Sequence, residues 1–249
     1  MGRLDNRVAI VTGGAKGLGR AFCFALAKEG AKVVMAVHRL DEESAKSIKE
    51  IEAKGGYGVV VDVTKEEDTV RMAEEAVKKF GRIDILVNNA AFYYGVGRKP
   101  FYEVTSEDWD RALDVGAKGA WLCAKAVFPY MKKQKKGKII NLSSDTVFAP
   151  TKGMINYITS KAAVIGITRV LAGELGQYNI CVNAVAPGYT DTPASWTIGN
   201  VAKFDASTTP LGRVGKPEDI VGAVVFFASD DSDFISGQTL IIDGGRRVN

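Results

Sequence analysis

The stretch VAIVTGGAKGLGRAF, residues 8–22, decides the fold of this chain. Its first five residues are apolar or β-branched, which is typical of a buried strand. A glycine-rich turn follows, and apolar residues at helical spacing come directly after the turn. A strand that passes through such a turn into a helix is the first half of a βαβ unit, so the stretch predicts a parallel α/β sheet.

The same alternation continues along the rest of the chain and predicts a doubly wound α/β sheet. The predicted strands are Val8–Thr12, Lys32–Val37, Gly58–Asp62, Ile85–Asn88, Lys138–Ser143, Ile180–Ala186 and Thr239–Ile242. The predicted helices between them are Gly17–Glu29, Asp41–Lys54, Glu66–Phe80, Ser106–Met131, Met154–Gln177 and Pro217–Ala228. No repeat or linker interrupts the pattern, which indicates one domain over residues 1–249. Residues 188–213 have no clear period and are predicted to form a substrate-binding loop.

Composition narrows the classes of function. The chain has 249 residues and a net charge of +4, which is too mild to indicate nucleic-acid binding. We find no apolar run of membrane-spanning length and no signal peptide at the start, so we expect a cytoplasmic protein without a membrane partner. The spacing of Cys23, Cys123 and Cys181 fits no disulfide or metal framework and indicates buried free thiols.

His38 is the only histidine, which limits the chemistry that the chain can perform. A Ser-His-Asp triad or a histidine metal site would have to use this residue, and no acidic triad partner is evident. We therefore predict no metal site, and expect proton transfer to use Tyr, Lys or a carboxylate. The one dense basic run lies at Lys132, Lys133, Lys135, Lys136 and Lys138. It is interpreted as a solvated loop, with docking of an acidic carrier protein as the alternative.

The glycine turn can hold a pyrophosphate. Gly13, Gly17 and Gly19 would let the backbone approach the ligand, and the start of the following helix favours its negative charge. The second predicted strand ends at Val37, where many nicotinamide-binding folds carry an acid for the ribose. Because His38 and Arg39 follow, and Lys16 lies in the turn, the sequence favours NADP(H). NAD(H) stays open, with Asp41 as the acid.

A second group of residues can carry out proton transfer. Tyr157 and Lys161 are four residues apart on a predicted helix and share a face. Ser144 follows a predicted strand, at the sheet edge where α/β folds place ligands. The Ser and Tyr hydroxyls could therefore meet at one carbonyl oxygen. A neighbouring ammonium and a cationic nicotinamide are expected to lower the pKa of Tyr157.

Several motifs occur together in an order and spacing that resemble one family. They are TGGAKGLG at 12–19, NNA at 88–90, S-x12-Y-x3-K ending at Lys161, PGYTDT at 187–192 and DGG at 243–245. This set resembles the short-chain dehydrogenase/reductase family. The resemblance implies a single Rossmann-type domain with a seven-stranded parallel sheet flanked by helices. It also implies hydride transfer between NAD(P)(H) and a ketone or secondary alcohol.

The resemblance also assigns roles to particular residues. Ser144 would polarise the carbonyl, Tyr157 would transfer the proton, and Lys161 would bind ribose and tune Tyr157. The remaining implied contacts all lie along the cofactor, from the pyrophosphate and adenine to the nicotinamide. They are Gly13, Lys16, Gly17, Leu18, Gly19, His38, Arg39, Asp62, Val63, Asn88, Ala90, Pro187, Gly188, Thr190 and Thr192.

One departure from the family pattern concerns catalysis. Family members read D-V-N-x-x-G where this chain reads DVGAKG, so Gly116 stands at the position of the catalytic Asn. Either Gly116 leaves room for a water on its carbonyl and a slower relay, or it marks an impaired enzyme. We expect retained but reduced activity. Gly119 matches a family glycine and is interpreted as packing.

The substrate and assembly are predicted from apolar residues. Phe92, Tyr93, Tyr94, Tyr189 and Trp196 favour an apolar or aromatic ketone, if several of them line the pocket. The helix Met154–Leu175 is apolar on more than one face, which predicts a homo-oligomer, and members of the family are commonly tetramers. Two alternatives remain: a 3-oxoacyl-carrier reductase, and a dinucleotide-binding protein without turnover.

Overall fold

The strand and helix predicted within residues 8–22 are both present in the computed structural model. They are β1, Val8–Thr12, and α1, Gly17–Lys28. The structure describes residues 2–93, 96–198 and 204–247. Tyr94 and part of the predicted loop 188–213, residues 199–203, lie outside these ranges.

One parallel sheet of seven strands organises the fold, in the order β3-β2-β1-β4-β5-β6-β7. The predicted fold class is therefore confirmed. The remaining strands are β2 (Lys32–Val37), β3 (Tyr57–Val60), β4 (Ile85–Asn88), β5 (Gly137–Leu142), β6 (Ile180–Pro187) and β7 (Thr239–Ile242). Only β3 ends clearly before its predicted limit, because Asp62 forms a turn in which its Oδ1 accepts a hydrogen bond from the Thr64 amide at 3.0 Å.

Helices cover both faces of this sheet. Their bounds are α2 (Glu42–Glu52), α3 (Glu66–Phe80), α4 (Ser106–Leu113), α5 (Gly119–Gln134), α6 (Ile155–Leu175), α7 (Pro193–Trp196) and α8 (Pro217–Ala228). Successive residues of β1 point to opposite faces, so Ala9 and Val11 pack with α1 and α8, while Val8 and Ile10 pack with α3 and α5. Burial on both faces explains why the strands are almost continuously apolar.

The helix predicted over Ser106–Met131 is not continuous. It is divided into α4 and α5 by a π-helical turn, Asp114–Lys118, which contains Gly116. Periodicity alone cannot detect one extra residue in a turn, so the prediction of a single helix was wrong at this point. Single π-turns inside helices occur frequently at functional sites.

The strand order reverses between β1 and β4, because β2 and β3 lie on one side of β1 and the later strands lie on the other. Open α/β sheets bind ligands in the crevice outside the carboxyl ends of the strands at such a reversal. A ligand is therefore expected to bind at the loops that follow β1, β4, β5 and β6.

Cys23, Cys123 and Cys181 are all free and buried, as the sequence predicted. Within the described ranges, no helix has the length and apolarity needed to cross a membrane.

Candidate active site

A single large cleft opens at the carboxyl ends of the central strands, with a volume of about 1710 Å³. It brings together residues from the glycine turn, the NNA motif, the Ser-Tyr-Lys group and the PGYTDT motif, whereas the DGG motif lies outside its lining. Of the predicted site residues, all but Asn88 and Gly116 line its wall. These two residues lie beneath the wall, and both are buried.

The glycine turn after β1 is fixed to the end of β4 by hydrogen bonds. The Asn89 side-chain amide donates to the Thr12 carbonyl at 2.9 Å and to the Gly13 carbonyl at 3.1 Å. In return, the Thr12 hydroxyl accepts from the backbone amides of Asn89 at 3.0 Å and Ala90 at 3.1 Å. Asn89 was missed by the sequence analysis, although it lies inside the NNA motif. It holds the turn in place from a neighbouring strand.

The conformation of this turn fits a bound pyrophosphate. Gly13 and Gly17 have φ angles of 63° and 51°, in the region that favours glycine. A Cβ at Gly19 would lie 2.1 Å from the Gly13 carbonyl oxygen, so only glycine allows this close approach. The first turn of α1 has no acidic residue and its N-cap residue Lys16 makes no capping side-chain bond. The free amides at this helix end therefore suit an anion.

At the end of β2, cations and carboxylates lie close together. Lys16 Nζ lies 3.3 Å from Asp41 Oδ2 and 2.7 Å from Glu43 Oε2, and Arg39 Nε lies 3.4 Å from Asp41 Oδ2. Asp41 also caps α2, because its Oδ1 accepts from the Ser44 amide at 2.9 Å. Hydrogen bonds from Ser44 hold the pKa of Asp41 well below its usual range. Both oxygens of Asp41 are thus occupied.

Beneath the cleft, buried amides connect the strands to α6. The Asn88 side chain donates to Asn141 Oδ1 at 2.9 Å and to the Ala120 carbonyl at 3.1 Å. Asn141 donates in turn to the Thr168 hydroxyl at 2.9 Å. The side-chain amide nitrogen of Asn88 thus has its partners within the protein, and the expected contact of Asn88 with the cofactor stays a prediction. This amide joins β4 to β5 and α5 below the cleft wall, and Asn141 extends the network to α6.

Ser144, Tyr157 and Lys161 come together on one part of the cleft wall. Ser144 follows the end of β5, and its hydroxyl accepts a hydrogen bond from the Thr146 hydroxyl at 2.9 Å. Tyr157 and Lys161 lie in the first two turns of α6, with Lys161 Nζ 5.8 Å from the centre of the Tyr157 ring. Lys161 Nζ donates to the Leu142 carbonyl at 2.7 Å, which anchors it against β5.

Burial is the main cause of the shifted pKa values of Tyr157 and Lys161. Desolvation raises the pKa of the Tyr157 phenol, the neighbouring Tyr93 adds to the rise, and a hydrogen bond with Ser144 opposes it. Desolvation also lowers the pKa of Lys161 to about 8. In the protein without cofactor, the pKa of Tyr157 is therefore raised and not lowered, because desolvation is the largest contribution to the shift. A neutral phenol is a proton donor at neutral pH.

Gly116 and Gly119 are both positions of close packing. A Cβ at Gly116 would lie 2.0 Å from Ser160 Oγ, and a Cβ at Gly119 would lie 2.7 Å from Val63 Cγ2. Ser160 directly precedes Lys161 on α6, so the π-helical turn packs against the segment that carries the proton-transfer residues. The packing interpretation of Gly119 agrees with this contact. At Gly116, the Ser160 hydroxyl occupies the space that a side chain would fill.

The substrate end of the cleft is less apolar than the sequence analysis expected. Phe92, Tyr93 and Tyr189 line it, whereas Trp196 is 59% exposed and lies outside the lining. Charged residues that the sequence analysis missed are also in the lining, among them Asp145, Arg246 and Arg247. The two arginines could not be found from spacing, because their approach depends on how the segment after β7 folds back.

Comparisons with known proteins agree with this geometry. The family model described as enoyl-(acyl carrier protein) reductase matches residues 13–247. The chain is 41% identical to a 3-oxoacyl-[acyl-carrier-protein] reductase of Thermotoga maritima, over 98% of both chains. It is 39% identical to a subunit of (2S)-[(R)-hydroxy(phenyl)methyl]succinyl-CoA dehydrogenase of Thauera aromatica, again over 98% of both. A solved structure from Sinorhizobium meliloti, assigned as a short-chain alcohol dehydrogenase, superposes with a TM-score of 0.88 at 34% identity, covering 98% of this chain and 97% of that one.

The parallel sheet, the glycine turn and the Ser-Tyr-Lys group define a nicotinamide-dependent oxidoreductase. With the matches above, the chain belongs to the short-chain dehydrogenase/reductase family. It is an enzyme that transfers a hydride between a nicotinamide cofactor and a ketone or secondary alcohol.

Proposed function

We propose that the chain is an NADP(H)-preferring ketone reductase in which Ser144, Tyr157 and Lys161 act directly on substrate and cofactor. The observation that carries the proposal is that these three side chains share one cleft wall with the glycine turn. A carbonyl in that cleft would lie between the two hydroxyls and the cofactor.

In this proposal each residue has a separate task. The nicotinamide supplies the hydride when it is bound. Ser144 donates a hydrogen bond to the carbonyl oxygen and so stabilises the negative charge that develops there. Tyr157 then donates its proton to the same oxygen. Lys161 binds the ribose and stabilises the phenolate that Tyr157 leaves behind.

The pKa values support reduction as the direction at neutral pH. Desolvation raises the pKa of Tyr157, so the phenol keeps the proton that it must donate. Lys161, with a pKa of about 8, is mostly charged at pH 7 and becomes neutral above pH 8. We therefore expect reduction to slow as the pH rises through about 8.

The preference for NADP(H) is supported by the absence of an acid at the end of β2. Val37 is buried at that position, and Lys16, His38 and Arg39 line the cleft beside it. Asp41 does not replace the missing acid, because one of its oxygens caps α2 and the other pairs with Lys16 and Arg39. Both cations can turn toward a 2′-phosphate, since both pairs are partly exposed.

The proposal is tested by following NADPH and NADH oxidation with aromatic, cyclic and acyl-thioester ketones. Cofactor binding is measured separately by the fluorescence of the reduced nicotinamide. We expect turnover of several ketones, with higher kcat/KM for NADPH. Tight cofactor binding without oxidation of either cofactor over the whole panel would instead support a dinucleotide-binding protein without turnover.

A 3-oxoacyl-carrier reductase is the second candidate, favoured by the relative from Thermotoga maritima. The basic run, however, does not support carrier docking. Lys138 is buried at the start of β5, and its Nζ lies 2.8 Å from Asp233 Oδ1. Lys136 pairs with Asp230 at 2.7 Å. These lysines lie at the amino edge of the sheet, opposite the cleft, so salt-sensitive docking there would not bring a thioester to Tyr157.

We also propose a homo-oligomer, in line with the tetramers that are common in the family. Small or apolar residues of α6 face solvent, among them Ala162, Gly166 and Val170, and Trp121 of α5 is 46% exposed. Such a surface can bury area between copies of the chain. Light scattering coupled to size-exclusion chromatography tests this, since a monomeric mass would contradict it.

A further inference from the structure

Arg246 and Arg247 enter the cleft from the segment that follows β7. Asp243 shapes this segment, because its Oδ1 accepts from the backbone amides of Gly245 at 3.0 Å and Arg246 at 3.1 Å. The resulting turn directs the chain back over the carboxyl edge of the sheet. Both arginines consequently line the same cleft as Ser144 and Tyr157.

The arginines of this chain divide into two groups by their partners. Seven form ion pairs with a carboxylate: Arg3, Arg7, Arg20, Arg39, Arg71, Arg82 and Arg213. The other five have no ion pair within the described residues, and the residues outside those ranges include no Asp or Glu. Four of these five line the cleft: Arg98, Arg111, Arg246 and Arg247. Unpaired guanidinium groups are thus concentrated where a ligand binds.

Arg246 and Arg247 are the two that remain unsatisfied. The Nε atom of each is buried and has no hydrogen-bond partner among the described residues. Arg247 donates from Nη1 to the Arg246 carbonyl at 3.1 Å, and the Arg246 guanidinium lies 4.9 Å over the Phe204 ring. By contrast, Arg111 shares its helix with acidic residues that also line the cleft, and Arg98 donates to the Lys152 carbonyl. A buried donor without a partner is costly, so a ligand acceptor is expected here.

The position of Arg246 and Arg247 also indicates where in the cleft the ligand group that they contact would lie. Asp145 directly follows Ser144, and its carboxylate lies 3.5 Å from the Ser144 hydroxyl. Both arginines act electrostatically on this carboxylate, which places them at the reacting end of the cleft rather than at the glycine turn. On the outer side, Phe204 stacks on Tyr189 with ring centres 4.4 Å apart, so an apolar surface borders the pair.

We infer that Arg246 and Arg247 bind a carboxylate of the substrate, so that the substrate is a keto acid, with its corresponding hydroxy acid, rather than a neutral ketone. This inference rests on the proposed function. The carboxylate is not changed in the reaction: the carbonyl carbon accepts the hydride, the carbonyl oxygen accepts the proton, and the C=O double bond becomes a single bond. Guanidinium groups suit this task because their paired N–H donors match the two oxygens of a carboxylate.

The test compares keto acids with their methyl esters, which keep the reacting carbonyl and remove only the charge. The pairs are benzoylformate and 4-oxo-4-phenylbutanoate, each with its ester. The native enzyme is expected to show higher kcat/KM for at least one acid than for its ester. Arg247→Gln and Arg246→Gln should lower kcat/KM for that acid about 10- to 100-fold, the effect of losing a charged hydrogen bond, and for the ester less than about 3-fold.

Two control variants distinguish carboxylate binding by the pair from a purely structural role. Arg3→Gln removes an arginine that lies outside the cleft and should change kcat/KM for neither the acid nor the ester. If the pair only balanced the charge of Asp145, then Asp145→Asn would restore the Arg247→Gln variant, and losses would be equal for acid and ester. Either result, or an ester preferred over its acid in both pairs, would overturn the inference.

Binding of the two acids to the native enzyme and to Arg247→Gln is also measured by calorimetry. Turnover of the neutral ketones without any preference for the acids would overturn this inference and leave the proposed reductase intact. Arginine-dependent binding of an acid without oxidation of either cofactor would support this inference and count against the proposed reductase.

Discussion

The two ends of the cleft are built in different ways. The cofactor end is made of backbone at the ends of adjacent strands, such as the turn Gly13–Gly19 held by Asn89. The substrate end is made of side chains from segments far apart in the sequence, such as Tyr93, Tyr189 and Arg246. The first end depends on local conformation, and the second depends on how distant loops meet.

Substitutions at the two ends of the cleft should therefore have different effects. At the cofactor end, a change that moves backbone should weaken dinucleotide binding. On the wall between the two ends, where Ser144 and Tyr157 lie, a change should alter the chemical step and leave dinucleotide binding nearly unaltered. Mutations can therefore test whether the two functions are as separate as the structure indicates.

The largest effect is expected for Tyr157→Phe. This change removes the proposed proton donor and keeps the ring that packs 5.0 Å from Tyr93. We expect kcat to fall by about 10³-fold, within the usual contribution of a general acid, and the Kd for NADPH to change less than about 3-fold. Steady-state kinetics and fluorescence titration measure the two quantities. Near-native kcat would refute the assignment.

The next effect is expected for Gly19→Ala, at the opposite end of the cleft. The added Cβ would lie 2.1 Å from the Gly13 carbonyl, so the turn must move. Overpacking of this kind costs about 1–3 kcal/mol, which corresponds to a Kd for NADPH about 5- to 150-fold higher.

The matched control is Gly222→Ala in α8, where a Cβ would meet no atom within 4 Å among the described residues. It should leave NADPH binding unchanged and stabilise the fold by up to about 1 kcal/mol. Equal Kd values for the two alanine variants would mean that the turn does not hold the dinucleotide.

Lys161→Met should separate stability from activity. The folded-state pKa of Lys161 is about 8, below its ordinary value of 10.5, so a charged ammonium is unfavourably buried at pH 7. We expect the variant to lose activity and to gain on the order of 2 kcal/mol in the free energy of unfolding. This figure allows for the lost hydrogen bond to Leu142.

The pH dependence of stability follows from the same lowering of the Lys161 pKa. Between about pH 8 and 10.5 the unfolded chain binds more protons at Lys161 than the folded chain does. Stability of the native protein should therefore rise with pH over this window relative to the variant. Urea unfolding at pH 7 and pH 10 measures this, and a constant difference between the two proteins would contradict the burial of the charge.

A smaller effect is expected for Arg39→Ala at the outer edge of the cofactor end. Because the Arg39 side chain is 78% exposed, its contact with a 2′-phosphate is screened by solvent. We expect KM for NADPH to rise about 5- to 10-fold and KM for NADH to change less than about 2-fold. Arg3→Ala, a remote arginine with an exposed ion pair, is the control. Equal losses for both cofactors would exclude the phosphate contact.

The sequence predicted the cofactor end better than the substrate end for a physical reason. The turn conformation of Gly13 and Gly17 and the spacing of Tyr157 and Lys161 are local properties, and local patterns in a sequence report them. The parallel sheet follows from the same kind of pattern, because each strand is buried on both faces.

Other features depend on contacts that no local pattern contains. Asn88 and Asn89 are adjacent, yet the first joins strands below the cleft and the second holds the glycine turn. Asn88 is the last residue of β4, and of the two only Asn89, beyond the end of the strand, lines the cleft. Likewise, Arg246 gains its position from a turn around Asp243, and the Tyr157 pKa depends on packing around the ring.

The smallest effect is expected at Gly116, which lies under the wall between the two ends. A Cβ there would meet Ser160 Oγ at 2.0 Å, while Ser160 Cβ lies at 3.4 Å, an ordinary contact. Gly116→Ala should therefore destabilise the native protein by about 1 kcal/mol but have little effect on a Ser160→Ala background. A double-mutant cycle by urea unfolding measures this coupling.

Because neither Gly116 nor Ser160 lines the cleft, kcat should stay within about 3-fold in all variants. Additive stabilities with a large loss of kcat in Ser160→Ala alone would instead assign the Ser160 hydroxyl to the proton relay.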